Sequence, residues 1–480
     1  MIASKTKIAS NTSWFTAALV LQKIISFVYF TYLARVLGAE DLGRYVFALS
    51  YVTIFSIILD FGLSNLVTRE VAKDQSISQK IYSNVLGFKI ISFLIASALA
   101  VVSLHLLDYP LIIRQLVYLA LFLMIIESLV LSSYAVLRGH HNLRFESIGT
   151  ILVQLVIALL GVLVLQFTRQ VIWLIAVMVI ANLFHLIYVW FLLRFSLNIR
   201  IKVDFDSKFI KPLLKLALPF ALAAGFTKIY GAFDQVLLSK LAGSQALGFY
   251  AVAYKLTFAL QFVPLALVAA LYPAMSTYYI SDRQMLGKTL TKAVYFLLLL
   301  TIPLSGGVVV LARDFISSLY TDSFLPAVLP LQILILSLTF LFINFPLGSL
   351  LNATDRQSLN TFNIGLALVV NIVLNIILTP RYGAVGAALS SLSSTIFLFI
   401  ISWRAAAKVV AVDYKYLLVV TVKTLFSTIV MVFVVILFSQ YVYWAVAALI
   451  GAIVYWLLQF ILGTVRRAEF VQLIDSFKKK

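Results

Sequence analysis

Seven ionisable residues interrupt stretches of sequence that are otherwise almost wholly apolar: Lys23, Lys89, Lys228 and Lys255, and the acids Asp60, Glu127 and Asp234. At the centre of a bilayer each costs about 2.5 to 3.5 kcal/mol on insertion scales, so each needs a partner, a water-filled route or a ligand. A lysine so placed attracts an anionic group, whereas a carboxyl group can carry a proton or hold a cation. Lys23 and Lys228 fall near the middles of their runs, too deep for a lysine stem to reach the interface easily, and this favours a central aqueous cavity. Glu127 is the one acid near the middle of a run, and is either kept neutral by burial or a proton carrier. The shallower residues have local alternatives. Asp60, in ILDFGLSNLVTRE, can pair with Arg69 or cap a helix, Lys89 can snorkel, and Asp234 and Lys255 can belong to structural ion pairs.

The elements that position these groups follow from composition. A chain of 480 residues with 63% hydrophobic and 11% charged residues cannot cover soluble domains, so it reads as an all-α polytopic membrane protein. Fourteen apolar runs of spanning length emerge, from about 14–36 to about 442–465. The first contains Gln22 and Lys23 and no small-residue cleavage site follows it, which predicts a retained span. The absence of cysteine removes disulfides and thiolate chemistry. The net charge of +19 sits in short connectors without a stripe of stacking aromatics, so the expected partner is membrane lipid and not nucleic acid. With the N-terminus inside, inner segments hold 26 Lys and Arg, including Arg466, Arg467 and the KKK tail, against 7 in outer loops. Both termini are therefore expected to be cytoplasmic.

One phrase is written twice. LARVLGAEDLGRYVFA begins at Leu33 and LSKLAGSQALGFYAVA at Leu238, an offset of 205 that aligns Gly38 with Gly243, Gly43 with Gly248 and Tyr45 with Tyr250. The same register pairs Phe15 with Phe220, Ala18 with Ala223 and Lys23 with Lys228. The copies start six runs apart, and an even number of crossings restores direction, so the halves read as parallel repeats about an axis along the membrane normal. LRGHHNLRFESIG and LNATDRQSLNTFN echo each other at an offset of 214. The expected organisation is a six-helix bundle over 1–195, a basic linker over 196–211 that contains NIRIKVDFDSKFIK, a second bundle over 212–405, and two further helices with a basic tail over 406–480.

Catalytic machinery is not visible. There is no G-x-x-x-x-G-K-[ST] phosphate loop, His140 and His141 read as a solvated connector, and the longest outer connector, Ala312 to Pro326, is too short for a catalytic domain. No metal, cofactor or catalytic residue is expected. Pro264 and Pro273 mark span eight as a bending or statically kinked helix. The clusters Tyr441, Tyr443, Trp444 and Tyr455, Trp456 read as interfacial belts and lipid-facing surface.

The stretch LARVLGAEDLGRYVFALSYVTIFSIILDFGLSNLVTREVAKD resembles the opening of Wzx-type lipid-linked oligosaccharide flippases, members of the MATE-like multidrug/oligosaccharidyl-lipid/polysaccharide superfamily. LPFALAAGFTKIYGAFDQVLLSKLAGSQALGFYAVAYKL is similar to the start of their second half, and NATDRQSLNTFNIGLALVVNIVLNIILTPRYGAVGAALSS to a third familiar stretch. The resemblance runs to about residue 405 and implies a V-shaped pair of bundles around a cationic cavity. It further implies alternating access that moves an undecaprenyl-diphosphate-linked oligosaccharide to the outer leaflet of a bacterial cytoplasmic membrane, with polysaccharide polymerase and chain-length proteins as partners. The cavity cations would be Lys23, Lys228, Lys255 and Lys89, and the coupling or gating acids Glu127, Asp60 and Asp234. Where relatives often carry arginine, Lys23 and Lys228 offer point charges and no bidentate fork. The alternatives are a drug or cation exporter of the same fold, expected to have an acidic cavity, and a membrane glycan polymerase or ligase, expected to have a long catalytic outer loop.

Overall fold

The computed structural model describes the backbone of residues 2–465, and the side chains of these except 2–17, 19, 219, 220 and 223. The basic tail with Arg466 and Arg467, and the side chains of Phe15, Phe220 and Ala223, thus lie outside the described residues. Within them the chain is helical apart from short connectors, with no strand. The helices are α1 (Ile2–Asp60), α2 (Leu63–Lys73), α3 (Ser78–Leu106), α4 (Leu111–Gly139), α5 (Arg144–Phe167), α6 (Val171–Ser196), α7 (Ser207–Phe258), α8 (Phe262–Ser281), α9 (Arg283–Leu319), α10 (Val328–Ala353), α11 (Gln357–Ala407), α12 (Tyr414–Ser439) and α13 (Trp444–Ile461). Backbone groups have no water to bond in hydrocarbon, which is why an apolar chain of this length resolves into helices.

Among the described residues eleven helical runs are long and apolar enough to cross a membrane, against the fourteen spans expected. Three of them are interrupted. Gly38 (φ 75°, ψ 176°), Gly243 (φ 86°, ψ 170°) and Gly383 (φ 54°, ψ −128°) leave helical geometry inside α1, α7 and α11, so each of these holds two helical arms. The first two glycines occupy backbone space that a side chain with a Cβ rarely enters. By contacts the chain forms two compact units: 1–251 with 375–383, and 252–374 with 384–480. The first unit thus takes in the linker 196–211, the first arm of α7 and the start of its second arm, as far as residue 251.

Side-chain caps fix several helix starts. Asp282 accepts the N–H of Met285 (2.9 Å) to open α9, and Asp413 that of Tyr416 (2.9 Å) to open α12. Pro264 lies in the first turn of α8, just after a 3₁₀ turn over Ala259–Gln261 that interrupts the expected span eight near its middle. A proline there has no intrahelical hydrogen bond to lose, so the break falls before it and not at it. Pro273 is inside α8 as expected.

The doubled phrase acquires a physical cause within the first unit. A Cβ built on Gly43 would lie 1.8 Å from the carbonyl oxygen of Ser244, and one built on Gly248 would lie 1.8 Å from the carbonyl oxygen of Ala39. Ala39 and Ser244 are themselves equivalent at the offset of 205, so the two contacts are one contact seen from both repeats. The second arms of α1 and α7 begin with their backbones against each other, and only a residue without a side chain fits at either position. Gly43→Val or Gly248→Val is therefore expected to destabilise the protein by about 1–3 kcal/mol or more, read as a lowered midpoint in thermal unfolding of the detergent-solubilised chain. An unchanged midpoint in both variants would show that the crossing is not a packing constraint.

Candidate functional site

The polar cluster of the first unit starts from a helix end. The second arm of α1 stops at Asp60 because Phe61 (φ 42°) and Gly62 (φ 71°) turn the chain left-handed before α2. This leaves a carboxylate at the C-terminal, electronegative end of a helix, where the backbone dipole disfavours it. Two groups compensate. The hydroxyl of Ser64 donates to Asp60 Oδ1, and Lys89 Nζ of α3 donates to the same oxygen at 3.2 Å.

Lys89 is fully buried, and its three protons have three acceptors. Besides Asp60, Nζ donates to the backbone oxygen (3.0 Å) and the hydroxyl (2.7 Å) of Ser128 on α4. Neither expected role of Lys89 survives this geometry. It does not snorkel, and in this conformation it offers nothing to a ligand, because every donor is spent inside the protein. Nor does Asp60 pair with Arg69, which bonds Glu70 instead (2.7 Å). Arg69 lies beyond the left-handed turn, on an exposed side of α2, whereas Lys89 reaches across from a neighbouring helix.

Lys228 enters the same region from α7. Its Nζ donates to Ser56 Oγ at 3.1 Å, and Ser56 lies one helical turn before Asp60 on α1. Gly225, one turn earlier on α7, brings the two helices close, since a Cβ there would meet Ile57 Cγ2 at 3.2 Å. Glu127 is exposed on α4, beside the Ser128 that holds Lys89, and within charge–charge reach of Lys228. The structure therefore brings together Asp60, Lys89, Lys228 and Glu127 from α1, α3, α4 and α7. Formal charges in this group balance, but accessibility does not: Lys89 spends all its donors inside the protein, while half-buried Asp60 and Lys228 and exposed Glu127 remain open.

The other expected residues lie elsewhere. Lys23 is exposed on the first arm of α1, with no hydrogen bond or ion pair among the described residues. Lys255 is half-buried on α7 and belongs to the second unit. Asp234 is buried, accepting from Asn375 Nδ2 (2.8 Å) and from the hydroxyl of Tyr250 (3.1 Å), while Thr379 donates to Asn375 Oδ1 (2.9 Å). Next to it, Gln235 accepts from Ser50 Oγ at 2.6 Å. Sequence reasoning missed Ser56, Ser128, Asn375 and Thr379. Asn371, Asn375 and Thr379 stand four residues apart in NIVLNIILT, so one polar helix face was readable there. The serines gave no signal, because a serine in an apolar helix commonly bonds its own backbone, as Ser132 does with the oxygen of Ser128 (3.2 Å).

The second unit holds an apolar cavity of about 390 Å³ between α9, α12 and α13, lined by Leu299, Pro303, Phe315, Met431, Tyr455 and Trp456 among others. Tyr455, expected on lipid-facing surface, is buried and donates its hydroxyl to the backbone oxygen of Leu299 at 2.7 Å. An acceptor on the facing helix draws it inward. Tyr441 and Tyr443 are exposed, as expected of an interfacial turn.

Residues 8–279 match the family described as polysaccharide biosynthesis protein, more than half of the chain. The chain belongs to this family. Residues 219–377 also match the family described as MatE, in keeping with the MATE-like superfamily. The chain is 21% identical over 388 residues to a capsular polysaccharide biosynthesis protein, CapF, of Staphylococcus aureus, covering 79% of this chain and 94% of that one. It is 28% identical over 186 residues to a probable flippase, AglR, of Haloferax volcanii, covering 38% and 39%. Among solved structures it is similar to the lipid II flippase MurJ in an inward closed conformation, with a TM-score of 0.78 at 17% identity over 93% of this chain and 98% of that one. The chain is a multi-pass membrane protein whose fold is that of MATE-like transporters.

The buried pair makes a distinct prediction. Removing one partner strands a charge, so Lys89→Met or Asp60→Asn alone is expected to cost about 3–5 kcal/mol of stability, less for Asp60 to the extent that it is partly exposed, and the double variant less than the sum. A double-mutant cycle on thermal unfolding checks this; strict additivity would mean that the pair is not coupled.

Proposed function

We propose that this chain moves a polyprenyl-diphosphate-linked oligosaccharide across the membrane by alternating access, for assembly of a surface polysaccharide, with two six-helix repeats rocking about a shared axis. The observation that carries the reading is Lys228: a cation at membrane depth, hydrogen bonded to the neutral Ser56 and not neutralised by a hydrogen-bonded carboxylate among the described residues. A diphosphate can take that ammonium as a point-charge contact, strengthened by the low dielectric around it. Lys23, its mate in the repeat, is the second cation of this reading, and Lys255 a third. The apolar cavity beside Tyr455 suits a prenyl chain, and the family and the named relatives support a polysaccharide pathway. The bilayer of this reading is the cytoplasmic membrane, with both termini inside, and a polymerase acts downstream on the exported unit.

Cation or drug export is the second reading, and Glu127 is the observation that favours it. An exposed acid in this cluster can attract a cation, and the MatE match is consistent with it. Under either reading Glu127 is the coupling candidate in this cluster, and Asp234, saturated by Asn375 and Tyr250, is the structural one.

The gene deletion is expected to accumulate lipid-linked repeat units on the inner face and to abolish the polymer. Complementation with Lys228→Gln should fail or fall by about ten- to a hundredfold in transport rate, the loss of one charge-assisted hydrogen bond of about 1.5–3 kcal/mol, while Lys228→Arg retains more. Full activity of Lys228→Gln, with lipid-linked units reaching the outer face normally in the deletion strain, would move cation export into first place. Separately, Glu127→Gln keeps shape and hydrogen bonding but cannot titrate, so the pH dependence of transport should flatten; an unaltered profile would make Glu127 structural.

A further inference from the structure

The basic linker after α6 is not a loose tether. After a turn at Leu197 and Asn198 (φ 54°), residues 199–206 run without helix along α3 and are tied to it at successive turns. Gln79 clamps both backbone groups of Arg200, accepting its N–H at 2.7 Å and donating to its oxygen at 2.9 Å. Further along, the N–H of Asp204 bonds the oxygen of Ser83 (3.1 Å) and that of Asp206 bonds Asn84 Oδ1 (2.6 Å). The oxygen of Asp204 lies where a Cβ of Gly87 would stand, 2.1 Å away, so that glycine lets the strap touch the helix.

A strap held by its backbone displays its side chains in fixed alternation. Ile201, Val203 and Phe205 are 39%, 55% and 46% exposed, and they follow Phe191 and Phe195, exposed at 58% and 71% on the last turns of α6. Arg200 and Lys202 alternate with them, and exposed Lys208, Lys211 and Lys215 continue at spacings of three and four on one face of α7. The local acids are occupied elsewhere. Asp206 accepts the N–H of Lys208 to cap α7 (2.9 Å), and Asp204 accepts the N–H of Phe205 (2.9 Å) and reaches Lys202 only at 4.0 Å, with both side chains largely exposed.

We propose that this strap is a docking surface for anionic lipid headgroups of the leaflet it faces: the apolar side chains enter the headgroup boundary and the basic row binds the phosphates. Charge complementarity selects that occupant, and so does position, because the strap joins two membrane helices and continues the exposed apolar surface of α6. The proposal does not depend on which substrate is carried.

The cysteine-free chain allows a direct test on the full protein. Val203→Cys, labelled with an environment-sensitive fluorophore, is reconstituted into vesicles of phosphatidylcholine alone or mixed with phosphatidylglycerol, each with a lipid-borne quencher. Leu163→Cys on α5 serves as the control for correct insertion and should be quenched alike in both. The expected result is stronger quenching at position 203 in the anionic vesicles, with that increment lost at high salt and in the combined Lys202→Gln, Lys208→Gln and Lys211→Gln variant. Quenching that ignores headgroup charge and the lysine changes would overturn recognition of anionic lipid. A fluorophore never reached by the quencher would leave the strap facing water, open to a soluble protein, and would overturn the proposal outright.

Discussion

A lysine ammonium that never meets water holds the first unit together chemically. Lys89 donates all three protons, to Asp60 and twice to Ser128, and thereby joins the C-terminal end of one helical arm to two other helices. In a hydrocarbon setting neither charge can stay without the other, so the pair fixes which faces of α1, α3 and α4 look at each other. It also decides what is left over. With the donors of Lys89 spent, the cation of this cluster that can still meet a ligand is Lys228, on a helix of the second repeat, with Glu127 beside it on a helix of the first.

The repeats share a backbone plan and differ in what they place on it. At the glycine crossing the plan is obeyed from both sides, since Gly43 and Gly248 each face the carbonyl of the other's partner residue. One helix deeper the chemistry diverges. In the first repeat Tyr29 packs its hydroxyl against Gly161; in the second, the residues at the corresponding offsets of 205 and 214 are Asp234 and Asn375, joined at 2.8 Å. A large side chain over a glycine and a small acid with an amide fill the same gap. The architecture constrains volume and approach, and leaves polarity to be set differently in each half.

The all-helical membrane class, the doubled phrase and the seven ionisable groups that interrupt apolar runs were legible in the sequence, because each depends on composition or on spacing along one chain. A helix imposes its own period, and a bilayer imposes its own length, whatever the neighbours are. Even the polar face through Asn371, Asn375 and Thr379 could be read in this way.

Partners could not be read, since they are chosen across helices where no period applies. Asp60 lies nine residues from Arg69 and 29 from Lys89, and its ion pair is with the more distant, because Phe61 and Gly62 turn Arg69 away while packing brings Lys89 in. The same geometry drew Tyr455 into the interior toward Leu299, moved the break near Pro264 to the residues before it, and gave Lys228 a serine in place of an acid. The sequence determined that charges would interrupt apolar helices; the tertiary structure decided which of them pair, because an ammonium is satisfied by whichever acceptor oxygens come within about 3 Å, and only packing sets that distance.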